Sequence, residues 1–272
     1  MKLFTSLLVL QILCHFSYGQ GVDDRKKENE TKELEKQFFL GTKLNKNFHF
    51  DFSAPFTEVN ISTEDGFLLN GLLFKAKQSK GLIFYLHGSN GAMNTWGKIA
   101  PAYLKLNYDV FILDYRGYGK SESIVTDERQ LIGDIQTAYD KLKQSYNESK
   151  IIIIGQSMGT GPAAQLAFNN NPKALILQAP YYSIADWIHN IAPEINTSNM
   201  NFQFRTFEFL PKIKASVIIF HGDTDDAIYY GSSQKLSAFF KKGHKLYTLK
   251  GEGHNDFINN PDYLARMKII LQ

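Results

Sequence analysis

Short hydrophobic runs alternate with longer amphipathic segments along most of the chain. Four runs, at 109–113, 151–154, 174–177 and 217–220, consist almost entirely of Ile, Leu, Phe and Val. Continuous apolar runs of this length are typical of parallel strands covered on both faces. The complete set of predicted strands is 56–62, 67–75, 81–86, 109–113, 151–154, 174–177, 217–220 and 245–249. The intervening segments predict helices at 95–106, 127–146, 159–169, 231–241 and 261–271. This order predicts an α/β fold with a doubly wound, mostly parallel, eight-stranded sheet and helices on both faces.

The N-terminal segment has a different pattern. Lys2 precedes a mostly apolar run over residues 3–14, and small residues follow at Ser17 and Gly19. This pattern predicts a signal peptide over residues 1–19 that is cleaved after Gly19, and hence a secreted or periplasmic protein. The run is short of the ~20 apolar residues that span a bilayer. An uncleaved signal that anchors the protein in the membrane is the alternative.

A strongly charged segment follows. Eleven of the fourteen residues in 23–36 are charged, with both signs present. We interpret residues 20–54 as a solvated N-terminal arm, with a short helix at 32–40, ahead of a folded domain over residues 55–272. The lone cysteine, Cys14, leaves with the signal, so the mature chain forms no disulfide.

Composition narrows the classes of partner. The chain is 43% hydrophobic and 14% aromatic, enough for one substantial core, and its net charge is only +3. Lys and Arg do not cluster into a nucleic-acid footprint, so we expect no nucleic-acid partner. His87 and His221 each precede a glycine at a strand end. No third ligand has suitable spacing, so we expect both to be structural and expect no metal or cofactor.

The clearest chemical signal is the segment Gly155-Gln156-Ser157-Met158-Gly159. It follows four isoleucines and precedes small, helix-compatible residues, which supplies the strand, sharp turn and helix of a nucleophile elbow. We therefore predict that Ser157 is a nucleophile at a helix N-terminus.

A serine nucleophile needs a base, and His254 is the candidate. It lies in a loop after the last predicted strand, in Gly251-Glu252-Gly253-His254. We expect the small Gly253 to let this loop approach the active site closely. The other histidines lie in the signal, in packed segments or on the surface.

The acid that orients the histidine is expected after the strand at 217–220. Three aspartates follow it, and we choose Asp225, with Asp223 and Asp226 as alternatives. Asp223 is expected to bind loop N–H groups, and Asp226 should point away from Asp225. The chain order Ser157, Asp225, His254 agrees with a known type of catalytic triad.

The oxyanion hole is assigned to two backbone N–H groups. One belongs to Met158, the residue after the nucleophile, and the other to Ser89 in the loop after the strand at 81–86.

These motifs, with Asp114-Tyr115-Arg116-Gly117-Tyr118-Gly119-Lys120-Ser121, resemble the α/β-hydrolase superfamily from about residue 56 to the C-terminus. Within it, the chain is similar to small, short-lidded serine hydrolases that include depalmitoylase-like thioesterases. The resemblance implies the α/β-hydrolase fold and a short cap, which we place at residues 181–215. Tyr181 and Trp187 from this flap, and Asn90 from the oxyanion loop, are the predicted substrate-contacting residues.

The resulting interpretation is a serine hydrolase that cleaves a small carboxylic ester or thioester through an acyl-enzyme. Peripheral contact of the protein with a membrane or lipid is compatible with such a substrate. An amidase or peptidase with the same triad is one alternative. A catalytically silent α/β-hydrolase that serves as a binding module is the other.

Overall fold

The computed structural model describes Glu35, Phe39 and residues 41–272. Within these residues one sheet has eight strands in the order β1-β2-β4-β3-β5-β6-β7-β8. β1 and β2 pair antiparallel, as do β2 and β4, and every other pair of neighbours is parallel. The strands are Phe56–Ser62, Leu68–Phe74, Leu82–Leu86, Asp109–Leu113, Ile151–Gln156, Ala174–Gln178, Ser216–Gly222 and Lys245–Leu249. The predicted mostly parallel sheet of eight strands is confirmed.

β5 lies in the middle of the sheet, between β3 and β6. Its isoleucines are fully buried: Ile151 and Ile153 pack into the core on one face, and Ile152 and Ile154 into the core on the other. A strand buried on both faces has no need for alternating polar residues, which explains the unbroken apolar run in the sequence.

The helices cover both faces of the sheet. They are α1 (Met93–Trp96), α2 (Ala100–Leu104), α3 (Glu128–Lys143), α4 (Thr160–Asn169), α5 (Ile184–Ile191), α6 (Thr206–Phe209), α7 (Gly231–Ser237) and α8 (Pro261–Ile270). The helix predicted at 95–106 is instead α1, a 3₁₀ turn over Gly97–Ile99, and α2. Gly97 lies against the Phe52 ring, where a Cβ would be 2.3 Å from a ring carbon, and Pro101 lies in the first turn of the second helix.

The flap between β6 and β7 contains α5 and α6, joined by an irregular segment. Two glutamates hold that segment in place. Glu128, at the start of α3, accepts hydrogen bonds from the backbone N–H groups of Gln203 (2.8 Å) and Phe204 (2.9 Å). Glu35 accepts one from Phe202 N–H at 3.0 Å and is itself buried.

Packing against the sheet extends N-terminal of residue 55, the predicted start of the domain. The Phe39 ring lies 4.2 Å from the Phe202 ring of the flap, centroid to centroid. Thr42 N–H donates to Gly91 O, and Leu44 N–H to Gly119 O. The folded unit therefore includes part of the segment that the sequence predicts to be a solvated arm.

The predicted signal at 1–19 and most of the predicted helix at 32–40 lie outside the described residues. Within residues 41–272 and the two described residues before them, no helix has the length and hydropathy needed to cross a membrane.

Candidate active site

Ser157 lies at a sharp turn between β5 and α4. Its φ is +51°, in the left-handed region that a side chain other than glycine rarely adopts. Backbone atoms lie so close to Gly155 and Gly159 of this turn that neither position has room for a side chain. A Cβ on Gly155 would lie 2.5 Å from Gly159 O, and a Cβ on Gly159 would lie 2.2 Å from Leu86 O. The strand–turn–helix context predicted for Ser157 is present, and the strain holds its hydroxyl outward.

His254 faces this hydroxyl. The loop after β8 brings its Nε2 to 2.8 Å from Ser157 Oγ, and the imidazole is 8% exposed. The loop that carries His254 lies close against Gly222 of β7. The glycine that leaves room for this loop is therefore Gly222 rather than Gly253. A Cβ on Gly222 would lie 2.2 Å from Glu252 O, whereas a Cβ on Gly253 would meet open space.

Asp225 is the aspartate that contacts His254. Its Oδ2 lies 2.8 Å from His254 Nδ1, and its side chain is fully buried. Its Oδ1 accepts the backbone N–H groups of Ala227 and Ile228, each at 2.9 Å. Burial acts to raise the pKa of Asp225, but the hydrogen bonds of His221 and His254 outweigh it and hold the pKa well below its usual range.

The two neighbouring aspartates lie away from the histidine. Asp223 is exposed, and its Oδ1 accepts Gly251 N–H at 2.6 Å, which is the loop-binding position expected of it. Asp226 is exposed as well. Of the three candidate acids, the structure joins Asp225 alone to the Ser157–His254 pair.

The oxyanion loop lies directly beside the nucleophile. A Cβ on Gly88 would be 3.3 Å from Ser157 Cβ, so the loop backbone and Ser157 are in close proximity. Ser89 is half-buried and Asn90 is exposed. The Asn90 carbonyl accepts the indole N–H of Trp96 at 2.8 Å, which fixes the loop on α1. Ser89 N–H and Met158 N–H remain the candidate oxyanion donors.

Tyr181 lies beneath the nucleophile turn instead of lining a substrate pocket. It is 1% exposed. Its hydroxyl donates to Met158 O at 2.9 Å and accepts Gly161 N–H at 3.0 Å. This position differs from the substrate contact expected from the sequence: the phenol ties the residue after Ser157 to the first turn of α4.

Trp187 of α5 is 7% exposed, and its indole N–H donates to Ala227 O at 2.7 Å. The flap is thereby attached to the loop that carries Asp225. An aromatic residue in a flap resembles a pocket wall in sequence, but here the ring also packs into the core.

His221, expected from the sequence to be structural, also contacts the candidate acid, which sequence reasoning missed. Its Nε2 lies 3.1 Å from Asp225 Oδ2 and 2.9 Å from Ile228 O. The signal that could have revealed it is its position at the end of the acid-bearing strand, four residues before Asp225. In residues 41–272, with Glu35 and Phe39, no three His, Cys, Asp or Glu side chains are grouped as metal ligands.

Comparisons with known proteins identify a family model and several proteins with similar sequences. Residues 77–205 match the family model described as serine aminopeptidase, S33. The chain is 31% identical over 165 residues to the α/β-hydrolase domain-containing protein aho-3 of Caenorhabditis elegans, covering 60% of this chain and 48% of that protein. It is 29% identical over 186 residues to human α/β-hydrolase domain-containing protein 17B, covering 66% and 63%. The chain thus spans about half to two thirds of the length of these relatives.

Solved structures share the fold. An esterase of Pyrococcus furiosus, Pf2001, superposes with a TM-score of 0.68 at 20% identity, covering 86% of this chain and 97% of that one. Est1E of Butyrivibrio proteoclasticus, solved with ferulic acid, has a TM-score of 0.62 at 21% identity, covering 78% and 96%. With the sheet order and the turn at Ser157, these similarities show that the chain has the α/β-hydrolase fold.

Proposed function

We propose that the chain is a serine hydrolase that cleaves carboxylic esters or thioesters through an acyl-enzyme on Ser157. The observation that supports this is the continuous series of contacts from Ser157 Oγ to His254 Nε2, and from His254 Nδ1 to Asp225 Oδ2, each 2.8 Å long. A base that accepts the serine proton and an acid that orients the base are what hydroxyl activation requires.

Proton transfer follows from these contacts. With the Nδ1–H donated to ionised Asp225, the lone pair of His254 Nε2 faces the Ser157 hydroxyl. His254 takes the proton as Ser157 Oγ attacks the substrate carbonyl, and the resulting imidazolium is stabilised by the carboxylate. His254 then gives the proton to the leaving alcohol or thiol.

The tetrahedral intermediate carries a negative charge on the former carbonyl oxygen. Ser89 N–H and Met158 N–H are the proposed donors to it, since the loop that carries Ser89 lies against Ser157. Water then attacks the acyl-enzyme with His254 again as base, which releases the acid and restores Ser157.

Amide or peptide hydrolysis is a second candidate function. The observation that favours it is the match of residues 77–205 to a family model described as a serine aminopeptidase. The same three residues can cleave an amide, provided that His254 protonates the poorer leaving amine.

A fluorophosphonate probe tests the nucleophile without knowledge of the substrate. We expect the wild-type protein and Ser149→Ala, an exposed serine before β5, to be labelled, and Ser157→Ala to remain unlabelled. Ser157→Ala should also lose ester hydrolysis by up to ~10⁶ in kcat. Wild-type protein that binds ligands but is never labelled would instead favour a silent binding module.

Substrate class is tested with matched compounds. Chromogenic oxyesters and thioesters of increasing acyl length are compared with the corresponding anilides and with aminoacyl anilides. Faster turnover of esters or thioesters supports the proposal, whereas faster turnover of aminoacyl anilides supports the peptidase.

A further inference from the structure

His221 is a second histidine in contact with the proposed catalytic acid. It is fully buried near the end of β7, four residues before Asp225. None of the steps proposed above uses it.

The hydrogen on the His221 ring can be placed from its neighbours. Nε2 lies 2.9 Å from Ile228 O and 3.1 Å from Asp225 Oδ2. Both neighbours are acceptors, so Nε2 carries a hydrogen and shares it between them. Nδ1 lies 2.6 Å from the hydroxyl of Ser233, which is buried in α7 and which donates to Nδ1 when the ring is neutral.

Few titratable groups face this ring. Asp225 is in direct contact, and His254 lies on the other side of the Asp225 carboxylate. The Tyr230 ring meets His221 edge-on at 5.6 Å between centroids, and its hydroxyl is engaged with Thr248. His221 is therefore linked to the candidate triad through Asp225.

The two histidines converge on the same oxygen. Asp225 Oδ2 lies 2.8 Å from His254 Nδ1 and 3.1 Å from His221 Nε2, while Oδ1 receives two backbone N–H groups. Each donor to Oδ2 withdraws negative charge that would otherwise act on the other donor. The N–H of His221 thus competes with His254 for the carboxylate.

We propose that His221 is a positioning residue that fixes the Asp225 carboxylate through its shared Nε2–H and competes with His254 for the same carboxylate oxygen. This inference rests on the proposed function only where it assigns His221 a part in catalysis. The coupling between the two histidines is a property of the resting protein. With His221 removed, Asp225 should attract the Nδ1–H of His254 more strongly and favour the imidazolium.

The test is an NMR titration of ¹³C-labelled histidine, with the His254 signal assigned by its loss in His254→Gln. His221→Leu should raise the titration midpoint of His254 by about 0.5–1 pH unit, a shift expected from losing one nearby donor. His221→Gln retains an N–H for Asp225 and should leave the midpoint close to that of wild type. His189→Gln, at an exposed position on α5, is the control.

Ser233→Ala provides a second, milder variant if His221→Leu does not fold. It removes the partner of Nδ1 and should loosen the ring, which gives a smaller rise in the same direction. The proposal is overturned if the His254 midpoint does not rise in any folded variant of the two, His221→Leu and Ser233→Ala. This outcome counts whatever the esterase assays show.

Kinetics give a separate readout. His221→Leu should lower kcat/KM by about 10- to 100-fold, the loss expected for one hydrogen bond to a charged group, and its acid limb should move to higher pH. A midpoint shift in a protein that neither labels nor hydrolyses esters would support the positioning role and refute the proposed function. A loss of rate with no midpoint shift would give His221 a purely structural role.

Discussion

Two buried histidine–aspartate pairs lie at strand ends of this sheet. They differ in whether the surroundings favour the ionised or the protonated form of the aspartate. One is His221, near the end of β7, with Asp225 in the loop that follows, and the other is His87 and Asp114, directly after β3 and β4. All four side chains are fully buried, with Nε2 to Oδ distances of 3.1 Å and 3.4 Å. Burial acts to raise the pKa of both acids, yet the pKa of Asp114 is raised and that of Asp225 is lowered well below its usual range.

The number of hydrogen-bond donors explains the difference. Asp225 receives two backbone N–H groups and His254, with the N–H of His221 also close to Oδ2. Asp114 accepts Met93 N–H at 3.0 Å, and this hydrogen bond and the nearby Lys43 ammonium only partly offset the effect of burial on its pKa. Both side chains are shielded from solvent, and the additional donors to Asp225 account for its carboxylate staying ionised.

The His87 ring faces Asp114 in the opposite sense to the ring of His221. Its Nδ1 donates to Gly88 O at 2.7 Å, so a neutral ring turns the lone pair of Nε2 toward Asp114 Oδ1. Two acceptors face each other without repulsion only when a proton lies between them. This pair is thus arranged to hold a proton, whereas Asp225 is arranged to remain ionised.

The largest expected effect comes from Asp225→Asn. Loss of the acid leaves His254 in the wrong tautomer and should lower kcat by ~10⁴, as measured for the corresponding change in a serine protease. Steady-state kinetics and the rate of fluorophosphonate labelling measure the loss. Asp223→Asn and Asp226→Asn, at the exposed neighbouring positions, are matched controls that should lose much less. Equal losses in all three variants would contradict the distinct role of Asp225.

Asp114→Asn, the same substitution in the other pair, should have only a mild effect on stability. Asp114→Asn retains an acceptor for Met93 N–H and supplies an N–H to His87 Nε2, so it mimics the protonated acid. We expect its free energy of unfolding to change by less than ~1 kcal/mol, and Asp114→Ala to cost ~1–3 kcal/mol because buried polar groups lose their partner. Urea unfolding measures both. A severe loss in Asp114→Asn would show that the pair needs a carboxylate.

The pH dependence of stability should have opposite signs at the two acids. The pKa of Asp225 lies below the unfolded value of ~3.9, so its contribution is present above that pH and is lost as the pH falls through the folded pKa. The pKa of Asp114 is raised, so the stability contributed by its protonated form is lost as the pH rises above ~3.9. Relative to wild type, Asp225→Asn should lose stability with rising pH and Asp114→Asn should gain it, by urea unfolding across pH.

The smallest effect is expected from Trp187→Phe, which keeps an aromatic ring and removes the donor to Ala227 O. Loss of this hydrogen bond should cost ~1 kcal/mol of stability and about 3- to 10-fold in kcat, with little change in KM, because the Asp225 loop loosens. A rise in KM with kcat unchanged would restore Trp187 to the substrate-binding role predicted from the sequence.

Much of the fold could be predicted because the interior strands of the sheet are buried on both faces. Such strands are nearly continuous apolar runs, and the predicted bounds of the fully buried β4 coincide with those observed. The segment 95–106 could not be resolved in the same way, because the break at Gly97 comes from its contact with Phe52, which is distant in sequence.

The candidate site was predictable where local sequence sets the backbone. The glycines around Ser157 indicate a sharp turn, and the position of Asp225 beyond the strand end fits the contact with His254. The roles of Tyr181 and His221 depend on which backbone their polar atoms meet across the fold. Residue type alone does not provide that information, and an aromatic residue in a flap resembles a pocket wall.

The contacts of the N-terminal segment have a consequence for proteolysis. Glu35 and Phe39 contact Phe202 of the flap, and Thr42 N–H donates to Gly91 O, so this segment packs against the candidate active site. A protease that removed the residues before 55 would take the acceptor from the buried Phe202 N–H, at a cost of ~1–3 kcal/mol. We therefore expect a cut within the predicted N-terminal arm to weaken the attachment of the flap while leaving Ser157, Asp225 and His254 in place.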